Sequence, residues 1–565
     1  MSINSRICRS VATLTICQGL LAVAFMPSLG AQDVAPGAAS RRVLTVEQWR
    51  QDLDSLMSNV RLQHKNMYHT TSAATFDSAV KALHDRIPRL ARHEIIAEMM
   101  KLVALVGDGH TNIYPTRDTV IAFRTLPVAF YPFSDGWFIR SAHRDHAGLV
   151  GARVISIGGQ PVETAFERSK AYVGRDNDMG ALYWGPYLLA MPEMLHAMRL
   201  SPSPDSARFE LEVGGTRRIV WLKAQGPVPM TPSDTDVSPW PRSGWVDARE
   251  RASATPLWLR HRPDTTMWWF EKIPGTRVGY AQISQVRNAT NESFADFTNR
   301  LLHFTDTARL ERLVIDLRLN RGGNGTLLDP LKRGLLKRPH INARGKLFVI
   351  TGRSTWSAAQ FFVNDMAEFS EAIFVGEPSA SRGNAYGDSR QIRLPHSGIT
   401  ARASIYYWQD WHPLDRRPWV AVEVAAVPSS ADYREGRDVA LAAAMSHEPL
   451  SPLAERMKQL AASGDTVIAV ETFKEYMRDP AHRYVDGLRL LRQVALSFYN
   501  RSDIPRATWA FALAAREYPD AIPAQQDAAL MFRQSGQREL ERKALQRILE
   551  LDSGNVSARE RLRTL

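Results

Sequence analysis

Between residues 278 and about 440 the chain alternates short apolar runs with helical ones, and this alternation limits its fold more than any other feature. The strand-like runs are Val278 to Ile283, Leu313 to Leu317, Leu347 to Ile350 and Ala372 to Val375. Helical patterns lie between them, near 292–304, 326–336 and 356–369. Continuously apolar strands joined through helices predict an α/β fold with a parallel sheet covered by helices. Ligands of such sheets bind beyond the carboxyl ends of the strands. Two unusual loops stand there: Arg318 to Gly325, which holds Gly322-Gly323, and Gly352 to Ser357. Ser357 opens the helical run Ala358 to Phe369. A serine at this place reads as an N-cap. Taken alone that is the stronger reading; the other is a nucleophile, its hydroxyl facing outward and the first N–H groups of the helix ready for an oxyanion.

Residues 1–31 read as a secretory signal: Arg6 and Arg9, then a largely apolar stretch from Val11 to Phe25, then the small-residue zone Pro27 to Ala31. Thr13, Thr15 and Gln18 interrupt the apolar stretch, which argues against a membrane-spanning helix. No later segment is apolar enough to span, so no integral membrane segment is expected after signal removal. Cys8 and Cys17 both lie inside the signal, leaving the mature chain without disulfides, a cysteine nucleophile or a thiolate metal site. The expectation is an exported protein, periplasmic or secreted. Losing Arg6 and Arg9 takes the net charge from +12 to +10, but no polybasic tract or nucleic-acid motif is present.

The remaining chain, about 530 residues, is long enough for several domains. Residues 43–115 read as helices, with a capping box at Thr45 and Gln48 and apolar spacing through Trp49, Leu53, Leu56 and Val60. This part ends in the turn Gly107-Asp108-Gly109-His110-Thr111. Residues 120–225 turn mostly to strands, with a hairpin about Gly214-Gly215. Residues 226–270 are rich in Pro and Trp and read as a linker or a cover over the cleft. Residues 271–445 form the α/β part. Residues 450–565 are helical, and Ala512–Ala524 and Leu545–Ser557 repeat at about the spacing of tetratricopeptide hairpins. Such an extension is either a docking surface for a protein partner or a cap on the core.

Separated pieces could build a serine hydrolase: Ser357 as nucleophile, His110 as base, and Gly322 or Gly323 with the Ala358 N–H as oxyanion hole. Glycine in that loop permits close backbone approach to a carbonyl oxygen. A phosphate-binding loop is disfavoured because no Gly-Lys-Ser/Thr follows, and an α/β-hydrolase because no Gly-x-Ser-x-Gly elbow is present. No clustered ligand pattern points to a metal, and no cofactor is needed.

Five motifs occur in order: Gly107 to Thr111, Leu149 to Gly159, Ile315 to Gly323, Thr355 to Ala359 and Val375 to Pro378. Together they resemble the C-terminal-processing, or tail-specific, serine peptidase family over residues 45–445. The resemblance implies a crotonase-like (ClpP-like) spiral αβ core, a helical N-terminal part and a PDZ-like module at 120–225. It also implies a peptide or protein substrate and an acyl-enzyme on Ser357. In the serine–lysine branch a lysine base stands at the position of Arg382 and its supporting glutamate at that of Gln360. Arginine stays protonated and cannot take the serine's proton. The chain is thus closer to the tricorn-core-like branch, which pairs serine with an earlier histidine, here His110. Glu423 and Asp415 are the candidate orienting acids, and Arg382 a candidate anchor for a substrate carboxylate. The rival reading is an inactive peptide- or ligand-binding envelope protein on the same scaffold.

Overall fold

The computed structural model describes residues 43–115, 118–226, 243–448 and 452–565. The predicted signal and the Pro-rich stretch 227–242, with Trp240, lie outside the described residues.

Thr45 starts the first helix through the capping box: its Oγ1 accepts the Gln48 N–H at 3.2 Å, and Gln48 Oε1 accepts the Thr45 N–H at 3.0 Å. Helices α1 (Val46–Gln63), α2 (Ala73–Arg86) and α3 (Arg92–Ala104) follow, then the short strand β1 (Asn112–Ile113). Trp49, Leu53, Leu56 and Val60 share one face of α1 and are buried.

A β-rich module follows: β2 (Val128–Phe133), β3 (Gly136–His143), β4 (Arg153–Ile157), β5 (Gln160–Pro161), β6 (Ser206–Val213), β7 (Thr216–Lys223) and β8 (Trp245–Asp247). Its sheet runs β2-β3-β4-β6-β7, with β5 on β4 and β8 on β3. Gly214 and Gly215, at φ +57° and +80°, make the two-residue turn that joins β6 to β7. The mostly-strand reading of 120–225 is corrected by helices α4 (Val162–Ser169), α5 (Asp178–Leu189) and α6 (Pro192–Ala197), inserted between β5 and β6. Helix α5 is buried on nearly every side and carries Pro186, so it lacks the polar face that marks a helix in sequence.

The α/β part contains β9 (Trp268–Lys272), β10 (Val278–Ile283), α7 (Phe294–Thr307), β11 (Arg312–Asp316), α8 (Asp329–Leu336), β12 (Leu347–Thr351), α9 (Ala358–Phe369) and β13 (Ile373–Gly376). A hairpin of β14 (Ala385–Arg393) and β15 (Thr400–Trp408) precedes β16 (Val424–Ala425). The core sheet has the order β16-β13-β12-β11-β10-β9, parallel throughout except for β9. Phe294, Phe297, Leu331 and Phe362 of α7, α8 and α9 cover one face. Tyr280, Phe348 and Ile350 face the other, against Ala440 and Leu441. Each large apolar side chain so buried contributes about 1.5–3 kcal/mol. Trp268, on the strand β9 that closes the sheet, packs in the core, and the buried Trp258 packs in a small separate cluster with Leu259 and Leu319.

The hairpin β14–β15 leaves that sheet and joins the N-terminal helices. Strand β15 pairs antiparallel with β1 (Asn112 opposite Arg402), and β14 is the opposite edge of this small sheet. Asp52, fully buried on α1, receives the N–H groups of His396 and Ser397 at 2.8 Å each, in the turn of the hairpin.

Helices α10 (Ser430–Glu435) and α11 (Val439–Ser446) complete this part. Beyond it, α12 (Leu453–Ser463), α13 (Thr466–Arg478), α14 (Gly487–Tyr499), α15 (Ile504–Glu517), α16 (Ile522–Gln534), α17 (Arg538–Leu551) and α18 (Val556–Arg563) stack in succession with their own apolar cores. No helix among the described residues is long and apolar enough to cross a membrane.

Candidate active site

Strand β12 delivers the chain to Gly352, and the turn to α9 is held by its neighbours. Thr355 Oγ1 donates to the Leu317 carbonyl at 2.8 Å, and the Trp356 N–H reaches the Asn320 carbonyl at 2.9 Å. Ser357 then stands at the head of α9 with φ 56° and ψ −126°. Its side chain caps nothing, and its N–H donates to Ser381 Oγ at 3.2 Å. A non-glycine residue in this region at a strand-to-helix turn has the geometry of an exposed nucleophile.

The glycine loop comes to the same point. Gly322 and Gly323 have φ +94° and +139°, and a Cβ on Gly322 would stand 2.7 Å from Ser357 Cβ and 2.8 Å from the Ala358 nitrogen. Gly322 donates its N–H to the buried Asn320 Oδ1 at 2.8 Å. The N–H groups of Gly323 and Ala358 have no acceptor among the described residues. Of the two glycines named from sequence, Gly323 therefore keeps a free donor.

His110 arrives on a loop in which three successive amides, those of Gly109, His110 and Thr111, are held by carboxylates. Asp108 Oδ1 accepts the N–H groups of His110 and Thr111 at 2.8 Å each and the Ser404 hydroxyl at 2.7 Å, while Asp176 Oδ1 accepts the Gly109 N–H at 2.9 Å. The His110 ring lies 5.3 Å from that of Trp356, the residue before Ser357, and its Nδ1 is buried with no partner among the described residues. Burial pushes the imidazole below its usual pKa; Asp108 and Asp388 pull it partly back. His110 is thus neutral near pH 7, the state a base requires.

Ser357, His110, Gly323, Ala358 and Arg382 all line one cleft of about 540 Å³. Asp388 and Trp408 line it too, and Trp408 Nε1 donates to Asp388 Oδ2 at 3.1 Å. Edge strand β14 contributes Ala385 to Asp388. The orienting acids named from sequence are elsewhere. Glu423 is bound to Arg344 beside a different cavity, and Asp415 to Arg417 at 2.7 Å. Both carboxylates are held by arginines, and neither lines the cleft. Gln360 is buried: it accepts the Ser379 hydroxyl and donates to Asn364 Oδ1 at 2.8 Å, so it braces the loop that carries Ser381.

Sequence reasoning missed Asp176, Asn177, Ser381 and Asp388. Asp176 and Ser381 sit in loops with no local pattern, and the N-cap signal of Asn177 is hidden because α5 has no polar face. Burial and the neighbouring Asp108 charge raise the Asp176 carboxyl to about 7, against the Gly109 N–H and Arg382, which lower it.

Among the described residues His64, His69 and Asp108 have the spacing of metal ligands, with donor atoms within 4.8 Å of one another. His64 Nδ1 already accepts the Asn66 N–H at 3.0 Å, which assigns the proton to Nε2, 3.0 Å from Asp108 Oδ2. A metal on Nε2 would force a proton onto Nδ1, against the Asn66 N–H. The trio fits a buried hydrogen-bonded pair with His69 alongside, and it does not fit a metal. Burial opposes ionisation of Asp108, but His64, Thr111 and Ser404 outweigh it and hold the carboxyl below its usual range.

No family model and no curated protein matches this sequence. Solved structures do. A serine-to-alanine mutant of CPAF aligns at 11% identity and TM-score 0.50 over 72% of this chain and 99% of its own. Mature CPAF aligns at 12% identity and TM-score 0.45 over 69% and 95%, and the photosystem II D1 C-terminal processing protease at 12% and 0.31 over 70% and 99%. On the first of these likenesses, the chain shares a mixed α/β fold with CPAF across almost three quarters of its length.

Proposed function

We propose that this protein is an exported serine peptidase of the tail-specific family, working through Ser357 and His110. One observation carries the reading. A serine in a left-handed turn at a helix head shares a cleft with a neutral histidine and two unpartnered backbone N–H groups. His110 takes the proton as Ser357 Oγ attacks the peptide carbonyl, and the Gly323 and Ala358 N–H groups receive the oxyanion. His110 then returns the proton to the leaving amine. Water, deprotonated by the same imidazole, attacks the acyl-enzyme; the ester bond breaks and Ser357 recovers its proton.

The substrate lies extended along edge strand β14, whose first residues line the cleft. Arg382, always protonated, binds a substrate carboxylate; its Nε is buried without a partner, and no described carboxylate oxygen lies within salt-bridge reach. The α/β part is the crotonase-like core, the β-rich part the PDZ-like module, and the C-terminal hairpins a tetratricopeptide-like surface for a protein partner.

The test is fluorophosphonate labelling of the purified protein with peptide mapping. The expected adduct is on Ser357 and is lost in His110→Ala. A folded protein that takes no label sinks the reading and favours the inactive binding scaffold.

A further inference from the structure

The dipeptide Asp176-Asn177 precedes α5 in the insertion of the β-rich module, and it touches both loops of the site from one side. Asp176 Oδ1 holds the Gly109 N–H at 2.9 Å, next to His110. Asn177 Nδ2 donates to the carbonyls of Pro418 at 2.8 Å, Ser379 at 3.0 Å and Ser381 at 3.4 Å. Ser381 Oγ in turn accepts the Ser357 N–H. Nearby, Gly174 and Asn112 exchange hydrogen bonds of 2.7 and 3.1 Å, and a Cβ on Gly174 would lie 2.4 Å from the Thr111 carbonyl. Both residues of the dipeptide are buried. Asn177 Oδ1 is spent on capping α5 through the Met179 and Gly180 N–H groups, so its amide group is free for the loops alone. Asp176 Oδ2 accepts no hydrogen bond, so the carboxyl's one bond runs to the Gly109 N–H, with the Arg382 backbone and guanidinium near enough to favour its ionised form.

We infer that Asp176 and Asn177 are positioning residues: from the β-rich module they fix the distance between the His110 loop and the loop under Ser357. The inference rests on the reading of Ser357 and His110 as nucleophile and base. It adds that the module is a working part of the site, because its α5 carries the clamp. The two grips divide the labour: Asp176 sets the base, and Asn177 sets the backbone of the nucleophile.

Asn177→Asp and Asn177→Ser keep an oxygen to cap α5 but lose the amide NH2 that reaches the three carbonyls; the single, shorter serine hydroxyl cannot cap α5 and span them together, and it adds no charge. In the full chain Asn177→Ser is expected to keep its melting temperature within a few degrees, and Asn177→Asp, which turns a carboxylate on three carbonyl oxygens, to lose more. Each should slow fluorophosphonate acylation by about tenfold or more, through the maximal rate and with reagent affinity unchanged. Asp176→Ala should do the same, and Asp176→Asn, which retains an acceptor for Gly109, should restore most of the rate. Hydrogen exchange supplies a readout that does not depend on activity. Peptides covering 107–112 and 379–383 should exchange faster in Asn177→Ser, while α5 stays protected. Parental labelling rates with unchanged exchange in both Asn177 variants would overturn the inference. Faster exchange of the two loops in a parent that never labels would retain the clamp and discard the peptidase reading instead.

Discussion

Ser357 holds φ 56° and ψ −126°, a conformation that costs a residue with a Cβ about 1–3 kcal/mol. Its strain is therefore separable from its chemistry. Ser357→Gly should be more stable than Ser357→Ala by about 1 kcal/mol in urea unfolding, both being inactive; equal stability would mean the turn is relaxed. His110 supplies a second handle. Its pKa is depressed chiefly by burial and raised in part by Asp108 and Asp388, so the acid limb of the labelling rate should lie below the usual imidazole value of about 6.5. Asp388→Asn keeps an acceptor for Trp408 Nε1 and tolerates the residue's φ of +51°, so it should move that limb lower still. A limb unmoved by the substitution would remove Asp388 from the site. Asp176 titrates in the opposite sense. Its folded value of about 7 lies above the ordinary 3.8, so the unfolded chain binds fewer protons between these values and stability falls as pH rises through them. Relative to the parent, Asp176→Asn should thus gain melting temperature from pH 5 to pH 8.

The loop after β11 works only because its backbone can touch that of α9. Gly322→Ala would place a methyl 2.7 Å from Ser357 Cβ, and Gly323→Ala one 2.1 Å from the Val286 carbonyl. Either should lower acylation about a hundredfold or more with circular dichroism unchanged; full activity in both would move the oxyanion site elsewhere. At this scale the sequence speaks unevenly. Strands β10 to β13 are legible because each is a run of apolar, often β-branched residues ending at a polar or glycine turn, and burial on both faces demands just that. Ser357 and the glycine pair are legible from their place at the strand ends. The sheet β1-β15-β14 is not, since Asn112 meets Arg402 and no local pattern records a pairing so distant. Helix α5 reads as an apolar stretch because water touches so little of it. Sequence points to Glu423 and Asp415 as orienting acids for His110, but arginines hold both, while the carboxylates that bear on His110 are Asp108 and Asp388.

Across the molecule, the C-terminal helices meet the α/β part around Tyr484, which packs against the core cluster and lies edge-on to Trp419 at 6.1 Å. Tyr484→Ala should cost about 1–3 kcal/mol and split thermal unfolding into two resolved steps, seen by calorimetry; a single unshifted transition would show that the Tyr484 contact does not couple the two parts. The site itself draws on still wider spans. Asp108 takes its hydroxyl bond from Ser404, Thr111 accepts the Ser404 N–H, and Asp52 is bound by His396 and Ser397. A chain still emerging from the ribosome past Ala358 already contains the serine, the histidine and both amides, yet the loop under His110 lacks the strand that anchors it. A broken message that ends before Ser404 would leave the serine and the histidine on one chain with the His110 loop unanchored, so on the reading proposed above a half-made copy would be silent.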